Sequence, residues 1–361
     1  MTSRTTQNSL SIISQHQVRQ DVPPSNHKVV MHSYSSRKYQ NLIEQFASAT
    51  TELRIKILKE LILFLNSPNE IIYSLLHSSI LALLFNNLDP AINEEIRVLS
   101  SDCLNLICFE KAGRDAVYNN GMIQTVLDLA FDGCLRIRLN ILEIILNYVK
   151  EPHYRLELIK LKILNSVFKS LESETDEKSL ALLTQIFSNL LSELSIADQS
   201  LELNSIKLIM KVIQVVSPQK TLAAIECLTF MSYSEKALDQ LIATKTYKTM
   251  LQFFKANDQQ WCLVKMLFLL FTSLSIKTEA KQFFVEQSMI QYVFNYLKQS
   301  EPDKELILNS ILFLTSMAEH PDGRLELSGT IEQLKPFCSE LFYSEICVYA
   351  KDLIEEIQWK P

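Results

Sequence analysis

Eight copies of one short pattern, an aliphatic residue or tyrosine followed three and four positions later by apolar residues, recur along the chain at an almost fixed interval. The copies begin at Tyr39, Leu81, Ile123, Leu164, Ile206, Tyr247, Ile290 and Ile331, with spacings of 42, 42, 41, 42, 41, 43 and 41 residues. Three residues on stand Leu42, Leu84, Val126, Val167, Ile209, Met250, Val293 and Leu334. The next position is apolar in seven copies and Lys335 in the last. A unit this small cannot bury its own apolar faces, so units at one period stack and share a continuous core. A length of 361 residues alone would suggest about two ordinary domains. The period overrides that count and predicts one solenoid array.

The clearest unit runs from Glu110 to Val149. It reads as a short helix through Asn120, a middle helix opening at Gly121, and a long helix from Leu135. In the long one, Ile137, Ile141, Ile144, Ile145 and Tyr148 fall at helical spacing and form one buried face. Proline marks helix starts, as its fixed φ suits a first turn. Pro68, Pro152 and Pro321 precede a first helix of a unit, and Pro90, Pro218 and Pro302 a last one.

Only five glycines occur, and neither G-x-G-x-x-G nor G-x-x-x-x-G-K-[ST] is present, so the nucleotide-binding loops are absent. The seven cysteines include no C-x-x-C pair and read as reduced, mostly buried thiols. No run approaches the ~20 apolar residues needed to cross a bilayer, so membrane insertion is not expected. Net charge is −6, unevenly placed: Met1 to Lys38 carries +4 and the remainder −10. An acidic array is a poor match for nucleic acid. Residues 1–35, rich in Ser, Thr, Gln and Asn and without helical period, read as a disordered basic arm, with a mitochondrial presequence as the competing reading. The array then occupies 36–361.

Three helices per unit resembles the armadillo repeat. Gly113-Arg114, Gly121, Ile123, Val126, Leu127 and Arg138 carry that resemblance most fully, and it extends from about Arg37 to Trp359. It implies an all-α fold, a right-handed α-solenoid of about eight armadillo-like three-helix repeats. The turn glycine is kept at Gly121 and Gly329; Arg37, Ser79, Lys162, Asn204, Lys245 and Ser288 stand at the equivalent places. Without glycine the sharp turn is expected to be made in another way there.

Inside the long helices a polar ladder runs Asn105, Asn147, Asn189, Ser232, Ser273, Ser316, and in the family that asparagine faces the concave groove. Armadillo import adaptors carry tryptophan four residues earlier, to clamp an extended basic peptide. Here those places hold Ser101, Glu143, Gln185, Leu228, Leu269 and Leu312, so an import role is not expected. Ser101, Asn105, Glu143, Asn147, Gln185, Asn189, Leu228, Leu269 and Leu312 are the candidate partner-binding residues, polar in the middle units and apolar later. The competing reading makes the polar ones a solvated face and the leucines core. The asparagines could bond a peptide backbone or tie neighbouring helices together. Arg54, Arg97 and Arg138, at 43 and 41 residues, could meet acidic partners or bridge neighbouring repeats, and the inter-repeat role is favoured.

His77 beside Ser78 and Ser79 is the nearest approach to a catalytic cluster, but no acid accompanies it at motif spacing, and no histidine pairs with cysteine or carboxylate as zinc ligands do. No enzyme activity, cofactor, metal or small-molecule substrate is therefore expected. The helix starts Leu53-Arg-Ile-Lys, Ile96-Arg-Val and Ile137-Arg-Leu, with Gly113-Arg-Asp-Ala-Val and Gly323-Arg-Leu-Glu-Leu, are similar to the armadillo-repeat subunits of ciliary radial spokes. That likeness implies a structural docking subunit of the axoneme in motile cilia or flagella, within the cytoplasm and cytoskeleton, with other spoke or axonemal proteins as partners. The alternative is a cytosolic adaptor that holds an extended peptide in its groove.

Overall fold

The computed structural model describes residues 37–76, 79–298, 303–339 and 343–359. The expected arm, and His77 with Ser78, lie outside them. Every regular element among the described residues is helical, and the elements follow one another in the order short, middle, long. The protein is an all-α solenoid, and its described residues form two compact units that divide between Gly113 and Arg114.

In the smaller unit, the long helices Thr51–Phe64 and Glu94–Phe109 pack against each other. Leu53, Ile57, Leu58 and Leu61 face Ile96, Cys103, Leu104 and Ile107, all nearly solvent-free. Thr50 and Asn93 cap these helices by accepting from backbone N–H groups two or three residues on. In the larger unit the long helices Leu135–Val149, Glu177–Leu191, Leu222–Met231, Trp261–Leu274, Lys304–Ala318 and Ser344–Gln358 pack in that order, each on the next. Between Trp261–Leu274 and Lys304–Ala318 the shared core is aromatic. Phe254, Phe268, Phe271, Phe284 and Phe313 are fully buried, with ring centroids 4.8 to 6.3 Å apart.

Pro68, Pro152 and Pro321 open the short helices Pro68–Leu76, Pro152–Lys160 and Pro321–Ser328. Pro218 instead begins a three-residue 3-10 turn, which delays the next long helix to Leu222. All seven cysteines are free thiols, and Cys103 and Cys108 fill core space.

The sharp turn between short and middle helices is made in the same way in five repeats. Gly121 has φ 70°, and Lys162, Asn204, Lys245 and Ser288 sit at 59°, 54°, 55° and 56°. Each donates its backbone N–H to the carbonyl three residues back, at 2.9 to 3.1 Å. The expectation that the non-glycine positions would turn differently is therefore overturned at these four. Closing the short helix with that hydrogen bond outweighs the roughly 1–2 kcal/mol that a side chain pays in the left-handed region. The converse holds in the last repeat, where Gly329 has an ordinary helical φ of −76°. Gly113 and Gly323 serve closeness instead, since a Cβ there would stand 1.9 Å from the Ile107 carbonyl oxygen and 2.3 Å from that of Met317.

Two glycines thus respond oppositely to one substitution. Gly121→Ala should lower stability by about 1 kcal/mol, while Gly329→Ala should be neutral or slightly stabilising. Lys245→Gly and Ser288→Gly should raise it by up to about 1 kcal/mol each, with Asn204→Gly near zero because asparagine tolerates this region. Urea midpoints at constant m value check all five.

Candidate functional site

The long helices of the larger unit leave one face accessible, and its line of residues differs from the expected one in the fifth repeat. Glu143, Gln185, Leu269 and Leu312 are at least partly accessible. Leu228 is fully buried, with no exposed surface. The accessible residues of Leu222–Met231 are Leu222, Glu226 and Phe230, followed by Tyr233. The 3-10 turn at Pro218–Lys220 precedes a register that differs by two residues from the expected one, about 200° around the helix axis. The accessible line is Glu143, Gln185, Glu226, Leu269, Leu312, at spacings of 42, 41, 43 and 43. In the smaller unit Ser101 is also fully buried, its hydroxyl donating to the Val98 carbonyl at 2.7 Å. Both Leu228 and Ser101 are therefore core positions and not partner-facing ones.

Of the asparagines, one has its side-chain amide engaged within its own helix. Asn189 donates its amide to the carbonyl of Gln185 in its own helix at 2.8 Å. Asn105 and Asn147 are half-buried on their helices. Ser232 and Ser273 are buried and donate to carbonyls of their own turns. Glu143 sits 3.4 Å from Lys178 of the next repeat. Such pairs tie successive long helices where they begin: Lys220 to Glu177 at 3.0 Å, Lys265 to Asp303 and Glu305 at 2.9 Å, and Lys304 to Glu345 at 3.0 Å. The Glu177 carboxyl is held at about 2 by the Ser217 side chain and N–H and by Lys220.

Two of the three arginines at the long-helix starts bond within their own repeat. Arg54 donates to the carbonyls of Phe46 and Ala47, and Arg97 to that of Leu88, satisfying groups left over at the ends of middle helices. Arg138 does both jobs: it donates to the Asp132 carbonyl at 2.7 Å and to Glu174 of the next repeat at 2.8 Å. Burial raises the Glu174 carboxyl, but the backbone N–H groups of Asp176 and Thr175 together with Arg138 outweigh it and hold it below the usual range.

A second ladder escaped the sequence reading. On the short helices, Arg114, Arg155, Asp198, Asp239, Lys281 and Arg324 follow at 41, 43, 41, 42 and 43 residues. Each pairs with an opposite charge further along: Glu151, Glu193, Lys236, Lys277, Glu319 and Glu356. Cation leads in the first two rungs, anion in the next two, cation again in the last two. The signal was present as two lines of complementary sign, periodic except at the last anion, Glu356, which follows Glu319 by 37 residues. It was obscured because the sign inverts twice, so no single residue type repeats.

The accessible face carries two hollows around one aromatic pair. Phe230 and Tyr233 meet edge to face, with centroids 6.2 Å apart. On one side lies a hollow of about 300 Å³ bounded by Arg155, Ser188, Glu226, Met266 and Leu269. On the other is one of about 460 Å³ bounded by Leu191, Ala197, Asp198, Ser234 and Glu235. No group of three histidine, cysteine, aspartate or glutamate side chains able to hold a metal ion occurs among the described residues. No single helix among them is long and apolar enough to cross a membrane.

The burial difference predicts a split. Leu228→Ala should cost about 2–5 kcal/mol of stability, and Leu269→Ala clearly less, as a half-exposed side chain leaves no closed cavity. Arg138→Ala should cost about 1–2 kcal/mol near neutral pH. The Glu174 carboxyl titrates lower in the fold than unfolded, so its contribution is present above the unfolded carboxylate pKa and is lost as pH falls through the folded one. Urea titrations between pH 7 and pH 3 should show part of that acid-side loss missing in Arg138→Ala.

No protein-family model matches the sequence, and no curated protein matches it. Among solved structures, one engineered protein is similar over 90% of this chain and 79% of its own, with a TM-score of 0.75 and 13% identity. A second engineered protein covers 65% of this chain at a TM-score of 0.55 and 12% identity. A chain from a study of a phosphorylation switch in the interaction between cadherin and beta-catenin is similar over 89% of this chain, with a TM-score of 0.66 and 11% identity. This chain spans 60% of that one's length. Identities this low speak for the fold alone, which is of the armadillo type.

Proposed function

We propose that this protein is a non-enzymatic scaffold that docks other proteins on the accessible face of its long helices, and that it serves as a structural subunit of the radial spoke in motile cilia or flagella. The observation that carries the docking reading is the row Phe230, Tyr233, Met266, Leu269 and Leu312, apolar yet accessible, on helices locked together by inter-repeat ion pairs. A row of apolar and aromatic anchors on a pre-organised support is what a binding face requires. The radial-spoke reading is supported by the sequence likeness of the helix starts and of the motifs at Gly113 and Gly323. The partners are other spoke or axonemal proteins, without nucleic acid, lipid or small-molecule substrate. The two hollows favour a second reading, a cytosolic adaptor that seats an extended peptide there.

Tagged protein fractionated from ciliated cells decides between them. On the spoke reading it stays with salt-washed, demembranated axonemes and is lost from axonemes of a spoke-deficient strain, and Phe230→Ala combined with Leu269→Ala lowers its retention at least about tenfold. Release of the unmodified protein into the soluble fraction would replace the spoke reading with the adaptor one.

A further inference from the structure

We propose that the hollows flanking Phe230 and Tyr233 take a dibasic segment of a partner protein, one lysine or arginine side chain lying in each. This rests on the docking reading above and specifies the partner's chemistry.

Each hollow combines apolar walls with carboxylate at its edge. Met266, Leu269 and the Phe230 ring wall the first, and Glu226 stands at its rim. Leu191, Ala197 and the Tyr233 ring wall the second, with Asp198 and Glu235 at its rim. A purely apolar side chain would fill either space but would strip water from the carboxylate beside it, which costs free energy. Lysine and arginine match both parts, an aliphatic stem for the walls and a cationic head for the carboxylate. The aromatic pair adds a third match. The rings lie at 73° to each other, and Tyr233 is 53% exposed, so a cation on either side meets a ring.

The other charges nearby are already engaged, which leaves the balance negative. Arg155 donates to the carbonyls of Val149 and Lys150 and to Ser192, lies 3.4 Å from Glu193, and has a side chain only 11% exposed. Lys236 lies 3.7 Å from Asp198, and Lys277 lies 2.6 Å from Asp239. Glu226 forms no ion pair among the described residues; it accepts one hydrogen bond, from the Ser188 hydroxyl at 3.1 Å. Glu235 forms none either, although Lys277 feels its field. Charge complementarity therefore selects a segment with two cations over one with two apolar or two acidic side chains.

The test uses the full-length protein and fluorescence anisotropy of short labelled serine–glycine peptides. One carries two lysines separated by a single residue; matched peptides carry two leucines or two glutamates at those places. The dilysine peptide should bind at 1:1 and weaken as salt rises, and the other two should bind at least about tenfold more weakly. Glu226→Gln and Glu235→Gln should each weaken the dilysine peptide about 3- to 10-fold, and Tyr233→Leu similarly, while Tyr233→Phe retains binding. Unchanged melting of these surface variants excludes unfolding as the cause. Equal binding of the dileucine peptide, or indifference to both glutamine variants, would overturn the proposal. The axoneme assay separates the two failures. If the Phe230 and Leu269 double substitution releases the protein while both glutamine variants are retained, the docking face stands and the dibasic partner falls. If none of the variants changes retention, the face itself is not used.

Discussion

Everything in this molecule depends on long helices that cannot be buried by their own repeats. Inside the larger unit each inner one supplies one face to the helix before it and another to the helix after, so Leu180, Leu183, Ile186, Phe187 and Leu190 are nearly solvent-free although their helix lies in a repeat of about 42 residues. The remaining elements serve that contact. Short helices set the offset between long ones, left-handed turns send the chain into the middle helices, and arginines near the long-helix starts satisfy carbonyls at the middle-helix ends. Among the described residues of the larger unit, the strip of a long helix that faces neither neighbour is left to solvent, and that strip holds the candidate site.

The fold was largely legible because its information is periodic. The Tyr39 to Ile331 series located every middle helix, and three helices per unit identified the armadillo-type architecture. What could not be read was conformational. Lysine at positions 162 and 245 and serine at 288 give no hint of positive φ; only the shared hydrogen bond to the residue three back selects it. Register was the second gap. Spacings of 42, 42, 43, 41 and 43 look uniform, yet the 43 into Ser232 hides a two-residue slip. A helix rotates by about 100° per residue, so an error invisible in spacing moves Leu228 from surface to core. Glu226 and Phe230 were missed for that reason alone.

The candidate residues divide by chemistry. Gln185, Leu269 and Leu312 lie on the accessible strip, whereas Glu143 and Asn189 already have partners within the array, in Lys178 and the Gln185 carbonyl. Polar side chains on the face of a repeat array have two potential customers, the neighbouring repeat and the ligand, and sequence alone does not rank them. Apolar side chains on the same strip have no such internal demand. That asymmetry is why the face is better defined by Phe230, Tyr233 and Leu269 than by the asparagine ladder.

The double inversion of sign along the short-helix ladder bears on assembly during folding. Similar repeats can dock out of turn, with one skipped, and identical charges would not object. Here, a short helix carrying Arg155 that passed over the fifth repeat would confront Lys236 in place of Glu193, and one carrying Asp239 that passed over the seventh would confront Glu319 in place of Lys277. Like charges penalise both errors, whereas skips within a stretch of one polarity go unmarked. The inversions thus act as punctuation, marking the two junctions at which a single repeat cannot be passed over without setting like charges against each other.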